Sequence, residues 1–115
     1  MKILFITYFF APYNCIGAVR TTRTAELLSK RGHEVKVMDH LKCSVTADVG
    51  SPKVYYNGKE VEGVDAIIPR IGSSVTFYGS AIVRQFEMMG IFSANSSISI
   101  VRSRDKLRSM QILSR

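Results

Sequence analysis

A short apolar run followed by a long amphipathic segment, at residues 64–89, limits most strongly what this chain can fold into. The run Ala-Ile-Ile at residues 66–68 is typical of a buried strand, and the Pro-Arg-Ile-Gly sequence after it predicts a tight loop. Beyond the loop, apolar side chains recur at spacings of three and four and form one stripe of a helix: Val75, Tyr78, Ile82, Phe86 and Met89. Ser73 or Ser74 is expected to cap that helix. Strand, loop and helix in this order predict one unit of a parallel α/β sheet.

The rest of the chain supplies further elements of the same kind. In chain order we expect a central strand at 2–7, a helix at 18–30, a strand at 34–39, a short strand or extended segment at 90–94, a helical turn at 98–101 and a last helix at 105–113. Gly32 follows the first helix as a C-cap, because glycine enters the left-handed conformation without penalty. Val35 and Val37 alternate with polar residues, which places their strand nearer the edge of the sheet.

Residues 40–63 do not have the period of a crossover helix. Asn57-Gly58 stands between two strand-like runs and predicts a β-hairpin, because this pair adopts the type I′ turn that matches strand twist. The expected fold class is therefore α/β: a three-layer Rossmann-like domain with a mainly parallel sheet of about four strands and an inserted β-hairpin. A chain of 115 residues suits one domain, 1–115. It ends within a predicted helix, so we expect it to be cut from something longer.

Charge and composition exclude several function classes. The net charge is +7, but basic residues are scattered along the chain, among them Arg20, Arg23, Lys30, Arg31, Lys36, Lys42, Lys53 and Lys59. A cluster at 102–108 has no aromatic residues between its cations, so the stacking platform of a single-strand binder is absent. We expect no specific nucleic-acid binding, and instead a weak, salt-sensitive attraction to RNA or to an acidic protein partner.

The apolar runs and the cysteines indicate the cellular compartment of such a chain. No run approaches the roughly 20 residues of a membrane span, and no secretory signal is recognisable at the start. Cys15 and Cys43 lack the number and spacing of a disulfide framework or a metal site, so both are expected to be free thiols. These features predict a cytoplasmic protein without a membrane partner, and they allow a homo-oligomer.

The candidate binding residues lie in the loops. Arg70 follows the buried strand at the edge where parallel sheets bind ligands, and its planar fork suits a carboxylate or a phosphate. Its alternative role is to pair with a neighbouring loop carboxylate. Gly72 belongs to the same loop, and Thr76 is expected to project towards the same rim. Gly17, just before the helix at 18–30, could turn its amides to an anion or simply permit a turn.

Catalytic and metal-binding patterns are absent from the sequence. There is neither the Gly-x-Gly-x-x-Gly of a dinucleotide fold nor a P-loop. His33 and His40 flank the second strand without a recognisable catalytic partner, and the acidic residues form no paired set. Arg84 and Glu87 are expected to form a weak surface pair. We predict no catalytic residue and no metal ligand in this chain.

Two segments carry a resemblance to a known family. The sequences DAIIPRIGSSVTFYGSAIVRQFEMMG and SRDKLRSMQILSR closely resemble the amino-terminal domain of the RimK-like glutamate ligases, which belong to the ATP-grasp superfamily and add glutamate to the carboxyl terminus of a ribosomal protein. The resemblance runs from about His33 to Arg115. The opening of the chain, residues 1–32, is more similar to the start of a retaining GT-B glycosyltransferase. Two such parts that meet near His33 suit either a chimera, natural or made, or a divergent ligase.

The resemblance implies that this chain is one domain of an enzyme whose ATP-binding domain lies elsewhere. It implies the amino-terminal, acceptor-side domain of an ATP-dependent carboxylate–amine ligase, inactive alone, with a ribosomal or other protein as substrate. ATP and magnesium would then bind with an ATP-grasp domain beyond Arg115, and Lys106, in an Asp-Lys pair, would reach the nucleotide; by spacing alone it is a solvated charge. The alternatives are the acceptor-binding half of a GT-B glycosyltransferase and a non-catalytic, engineered α/β scaffold.

Overall fold

The structure is a computed structural model that describes residues 1–7, 16–72 and 75–115. Its elements, in chain order, are β1 (Lys2–Thr7), α1 (Ile16–Lys30), β2 (Glu34–Met38), a 3₁₀ turn (His40–Lys42), β3 (Cys43–Thr46), β4 (Lys53–Tyr56), β5 (Lys59–Glu60), β6 (Ala66–Arg70), α2 (Thr76–Met88), β7 (Phe92–Ser93), α3 (Ser97–Arg104) and α4 (Lys106–Leu113). The predicted caps Ser73 and Ser74, and Cys15, lie outside the described residues.

The main sheet has four strands in the order β2-β1-β6-β7, and every pairing in it is parallel. β1 and β6 run in register from Ile3 opposite Ala66 to Thr7 opposite Arg70. β2 lies at the edge, as the Val35 and Val37 alternation predicts. The three-layer Rossmann-like α/β fold is thus the observed one.

β6 is longer than its sequence suggests. The predicted loop at 69–72 is wrong for its first two residues, because Pro69 and Arg70 continue the strand. The carbonyl of Ile67 accepts from the amide of Ala94 at 3.1 Å, so alternate residues of β6, including Pro69, turn their peptide groups towards β7. β7 has already ended at that level. Proline is tolerated there because no neighbouring strand needs its missing N–H.

Apolar side chains pack on both faces of the sheet. The face under α2 contains the larger cluster, which includes Leu4, Ile6, Ile67, Ile82, Val83 and Phe86. The face under α1 contains Ile3, Phe5, Ala25 and Ala66. The predicted stripe of α2 is confirmed at Ile82 and Phe86, which are fully buried. It is wrong at Tyr78, which is 39% exposed and donates its hydroxyl hydrogen to the carbonyl of Cys43.

α2 approaches the main sheet closely at one glycine. Gly79 is buried, and a Cβ added to it would lie 2.3 Å from Cγ2 of Ile71. No real Cβ tolerates that distance, so the small residue allows the helix to lie directly against the end of β6. This contact fixes the position of the loop that follows β6.

The predicted hairpin is present and belongs to a larger unit. Asn57 and Gly58 form its turn with φ of 50° and 81°. β3 adds a third, antiparallel strand that the sequence pattern did not reveal, giving the order β3-β4-β5. The side-chain amide of Gln85 in α2 donates to the carbonyls of Thr46 and Lys53, at 2.8 and 3.1 Å. The small sheet is therefore held against α2.

Two consecutive helices end the chain. α3 starts at the Ser96 cap and is longer than the predicted turn at 98–101. The carboxylate of Glu87 accepts from both the amide and the hydroxyl of Ser97, so the predicted Arg84–Glu87 pair is not formed. Asp105 caps α4 by accepting from the amide of Arg108 at 3.0 Å. No helix in the described ranges combines the length and the apolar character needed to cross a bilayer.

Candidate functional site

A cleft of about 270 Å³ opens at the carboxyl ends of β1 and β6. Ligands of open parallel sheets bind at this edge, where the loops after neighbouring strands diverge. The polar residues and the glycine that line it come from β1, α1, β6, the loop after β6, the segment before α3, and α3 itself: Thr7, Thr21, Arg70, Gly72, Asn95, Ser103 and Arg104. The cleft thus combines two guanidinium groups with hydroxyl and amide side chains.

Arg70 occupies the last position of β6, opposite Thr7 of β1. It is exposed and lines the cleft, so the structure places it at the predicted edge although not in the predicted loop. No carboxylate lies within ion-pair distance of it in residues 1–7, 16–72 and 75–115. Its position at a strand end, rather than in a mobile segment, fixes its backbone. The arginine can therefore offer its fork to an anion that enters from solvent.

Arg104 is the residue that sequence reasoning missed. It ends α3, and its guanidinium donates to the carbonyl of Ile71 at 2.5 Å, which holds the side chain against the loop after β6. A guanidinium has five N–H donors, so this bond leaves others for a ligand. The sequence showed a basic cluster at 102–108, but the short predicted turn gave no reason to bring Arg104 near Arg70.

The other two residues predicted for the rim differ in their placement. Gly72 lines the cleft. Its carbonyl accepts from the amide of Val75 at 3.3 Å and from the hydroxyl of Thr76 at 3.5 Å. Thr76 starts α2 and turns its hydroxyl back to this loop, and the described lining of the cleft does not include it. Thr76 therefore supports the loop that carries Gly72.

Gly17 and Lys106 are the remaining residues predicted to bind a ligand. Gly17 belongs to the first turn of α1, which begins at Ile16 and not at the predicted residue 18. Lys106 is the first residue of α4 and is exposed, two residues beyond Arg104. The described lining of the cleft does not include Lys106. Its role as a nucleotide contact stays a prediction.

Several acidic side chains are used to hold the backbone. Four of them accept from main-chain amides, at 2.7 to 3.0 Å: Asp39 from Leu41, Asp65 from Lys2, Glu87 from Ser97 and Asp105 from Arg108. Glu34 and Glu60 form ion pairs with Lys36 and Lys53. Among the described residues, no group of three or more His, Cys, Asp or Glu could hold a metal ion. These carboxylates therefore have structural roles, either as acceptors for backbone amides or as members of ion pairs.

A buried histidine and a buried cysteine lie away from the cleft, below α2. His40 is fully buried, and neither ring nitrogen has a hydrogen-bond partner among the described residues. Burial lowers the pKa of His40, and the smaller effect of Asp39 raises it. Burial, with a further contribution from Asp39, raises the pKa of the Cys43 thiol to about 12. Cys43 is a buried free thiol, and this shift favours its protonated form, which is the less reactive one.

The chain matches one family over most of its length. The family described as "RimK PreATP-grasp domain" matches residues 16–100. The match begins at Ile16, the first residue of α1, so it also includes residues 16–32, which lie before the predicted start of the resemblance near His33. Lys106 lies beyond the matched range.

Curated relatives and a solved structure agree with that match. The chain is 58% identical over 95 residues to a "Probable alpha-L-glutamate ligase" of Vibrio cholerae and 57% identical over 95 residues to one of Aliivibrio fischeri. In both cases the match covers 83% of this chain and 32% of the relative, so the chain spans about a third of their length. A structure titled "ATP-grasp ligase PsnB complexed with precursor peptide PsnA2 and AMPPNP" superposes with a TM-score of 0.55 at 16% identity, over 83% of this chain and 37% of that one. The latter likeness shows the fold.

Proposed function

The chain belongs to the RimK pre-ATP-grasp domain family, and from this we propose that it is the acceptor-side domain of an ATP-dependent ligase that joins the amine of glutamate to a carboxylate of a peptide or protein. The observation that carries the proposal is the 58% identity to a probable alpha-L-glutamate ligase across 95 residues. The family match at residues 16–100 includes the strand, loop and helix around Arg70.

The cleft has the chemistry of a carboxylate site. Arg70 and Arg104 bring two guanidinium groups to one edge of the sheet. A guanidinium binds a carboxylate through two parallel N–H donors, which fixes the orientation of the carboxylate as well as its position. Thr7, Asn95 and Ser103 add neutral hydrogen-bonding groups around it. In the proposed enzyme these residues hold the carboxyl end of the acceptor while it is activated.

The described residues do not fit a magnesium–nucleotide site of their own. Two carboxylates that flank α3, Glu87 of α2 and Asp105 before α4, are already bound to the amides of Ser97 and Arg108. The ATP-grasp domain would supply the nucleotide and, with it, phosphoryl activation of the acceptor carboxylate. The contribution of this chain would be to bind and orient the acceptor at the edge of the sheet. We therefore propose that the chain alone is inactive.

A fusion enzyme tests this proposal. The 115-residue chain replaces the matching third of the Vibrio cholerae relative, and glutamate incorporation is measured with peptides copied from the carboxyl termini of ribosomal proteins. Peptides whose carboxyl terminus is amidated are the substrate control. The fusion should incorporate glutamate into the free-acid peptides, and the isolated chain should release no phosphate from ATP.

Two matched arginine variants locate the site. Arg70→Ala in the fusion should lower kcat/KM for the acceptor about 10- to 100-fold, because a hydrogen-bonded charge pair contributes roughly 1.5–3 kcal/mol. Arg102→Ala removes the same charge from an exposed position of α3 outside the cleft lining, and it should leave kcat/KM near the parent value. Equal losses in the two variants, or activity of the isolated chain, would contradict the proposal.

A further inference from the structure

A second depression, larger than the cleft, lies between α1 and β6 on the opposite side of Arg70. Its volume is about 440 Å³, and its floor includes Phe5 and Ile68. Arg20 and Arg23 of α1 and Arg70 of β6 line it. We call this depression the arginine groove. It places three guanidinium groups from two different elements around one partly apolar floor.

The groove exists because the helices cover the sheet unequally. α1 connects β1 to β2 and packs against that half of the sheet, whereas α2 connects β6 to β7 on the other face. On the α1 side of β6 and β7, no helix of the described residues covers the strands. Phe92, which pairs with Ala66 and shares its face, is accordingly 69% exposed. The groove is thus part of an open sheet face next to α1.

No carboxylate in residues 1–7, 16–72 and 75–115 forms an ion pair with the arginines of the groove. The ion pairs in the described part of the chain are Lys36–Glu34 and Lys53–Glu60, and both are on other elements. Three like charges that face one groove repel one another, which an anionic ligand would relieve. Isolated surface arginines are usually solvated charges. Here, however, they converge from α1 and β6 on a floor that is partly shielded from water.

The groove and the cleft adjoin each other at two shared residues. Arg70 and Thr21 line both, so a chain molecule can lie along the groove and end in the cleft. Arg20 and Arg23 are three residues apart on α1, which separates their Cβ atoms by about 5–6 Å. Alternate side chains of an extended peptide are about 6–7 Å apart and point the same way. The two arginines therefore match the spacing of two carboxylates on an extended acidic strand.

We propose that the arginine groove binds an acidic peptide segment in extended form, with side-chain carboxylates on Arg20, Arg23 and Arg70, and that the carboxyl end of this segment lies in the cleft. The inference rests on the proposed function, because a ligase that adds glutamate makes its acceptor richer in carboxylates. An acceptor that already carries glutamate would then bind this chain more tightly than one that does not. The groove selects for acidic acceptors and retains their products.

The floor of the groove favours a peptide over a nucleic acid. Phe5 is only 1% exposed, so its ring offers no face on which a base can stack. Ile68 is half-buried and can pack against the methylene groups of glutamate side chains. Carboxylates would pair with the guanidinium forks at the rim, while the extended backbone crosses the apolar floor.

Binding to the 115-residue chain tests the inference without any catalysis. The probe is a labelled peptide that ends in a run of glutamates, compared by fluorescence anisotropy with the same peptide in which glutamines replace the glutamates. At about 0.05 M salt, where surface charges are weakly screened, the acidic peptide should bind at least about tenfold more tightly. A labelled single-stranded RNA of equal charge is the competitor from the other class of macromolecule.

A matched pair of double variants separates the groove from net charge. Arg20→Ala with Arg23→Ala should weaken binding of the acidic peptide about tenfold, since each exposed pair contributes a factor of a few. Lys30→Ala with Arg31→Ala removes the same charge from the other end of α1 and its C-cap and should change affinity less than threefold. Equal losses in the two double variants would overturn the proposal. So would a lack of preference for glutamate over glutamine, or tighter binding of the RNA.

These outcomes are independent of the fusion assay. A fusion that incorporates glutamate although the isolated chain shows no groove-dependent binding would overturn the groove and leave the proposed function standing. Groove-dependent peptide binding by a chain whose fusion is inactive would overturn the proposed function while confirming the surface. In an active fusion, the Arg20 and Arg23 double variant should raise KM for acidic acceptors about tenfold and leave kcat unchanged, which a merely structural effect would not do.

Discussion

The two faces of the main sheet are covered to different extents by the rest of the chain. On one face, α2 and the three-stranded sheet together cover the strands, and Ile67, Ile82 and Phe86 are wholly inaccessible to water. On the other, α1 covers β1 and β2 and leaves the surface of β6 and β7 open, with Phe92 exposed. One face therefore carries most of the stability, whereas the other carries unneutralised arginines and an open groove. A single sheet separates the two tasks because its two crossover helices lie on opposite sides.

The largest expected effect is a difference in stability between two phenylalanine-to-alanine variants, one on each face of the sheet. Phe86→Ala on the packed face should lower the free energy of unfolding by about 3–5 kcal/mol, because it removes a buried ring and leaves a cavity. Phe92→Ala on the open face should change it by less than about 0.5 kcal/mol, as surface substitutions usually do. Urea denaturation followed by circular dichroism measures both. Similar destabilisation by the two variants would show that the open face is covered in solution.

A second pair concerns the close approach of α2 to the sheet. Gly79→Ala would drive a methyl group into Ile71 and should cost about 1–3 kcal/mol, the usual range for an overpacked core. At Gly72 an added Cβ would lie 4.0 Å from the nearest atom, a side-chain carbon of Val75, so Gly72→Ala should be tolerated. Thermal unfolding of the two variants makes the comparison. A Gly79→Ala protein as stable as the parent would mean that α2 lies farther from β6.

The smallest expected effect is a pH dependence that comes from His40 beneath α2. Its pKa is lowered by burial, so the unfolded chain takes up a proton near pH 6.5 that the folded chain does not. Stability contributed by neutral His40 is therefore complete above about pH 6.5 and decreases as the pH falls below it, by at most about 1.4 kcal/mol per pH unit. Asp39, the charged group next to it, opposes this effect without reversing it.

The variant His40→Leu isolates the histidine. Between pH 7 and pH 5 its free energy of unfolding should decrease less steeply than that of the parent, because Leu cannot bind the proton. Parallel pH profiles for the parent and His40→Leu would show that His40 is solvated in the folded protein.

Periodicity and turn residues predicted the fold well, for physical reasons that are local. The stripe of α2, the KILFIT strand and the Asn57-Gly58 turn each encode their conformation within a few residues. β3 was missed because its residues, Cys-Ser-Val-Thr, form a strand only by pairing with β4 and packing under α2. The length of β6 was underestimated because Pro69 predicts the end of the strand. Its missing N–H weakens a strand only where a neighbouring strand would accept from it.

The candidate site was predictable in part. Arg70 could be placed at the edge of the sheet because strand order alone brings it there. Arg104 could not, because its approach to Ile71 depends on how far α3 extends and where Glu87 anchors that helix. Arg20 and Arg23 looked like ordinary charges of a solvated helix. They line a groove because no helix in the described part of the chain covers that face of β6 and β7. This coverage depends on the tertiary arrangement, which no local sequence pattern encodes.

The side-chain amide of Gln85 has a consequence for how the molecule opens. It spans the last pair of the β3–β4 ladder, Thr46 and Lys53, and so ties the backbone of the small sheet to the middle of α2. An isolated hairpin would open and close on its own, and its amides would exchange with water far faster than those of the core. Here the strands cannot separate at that end without releasing α2. We therefore expect the amide hydrogens of β3 and β4 to exchange with the same opening free energy as those of α2, as one cooperative unit with the packed face.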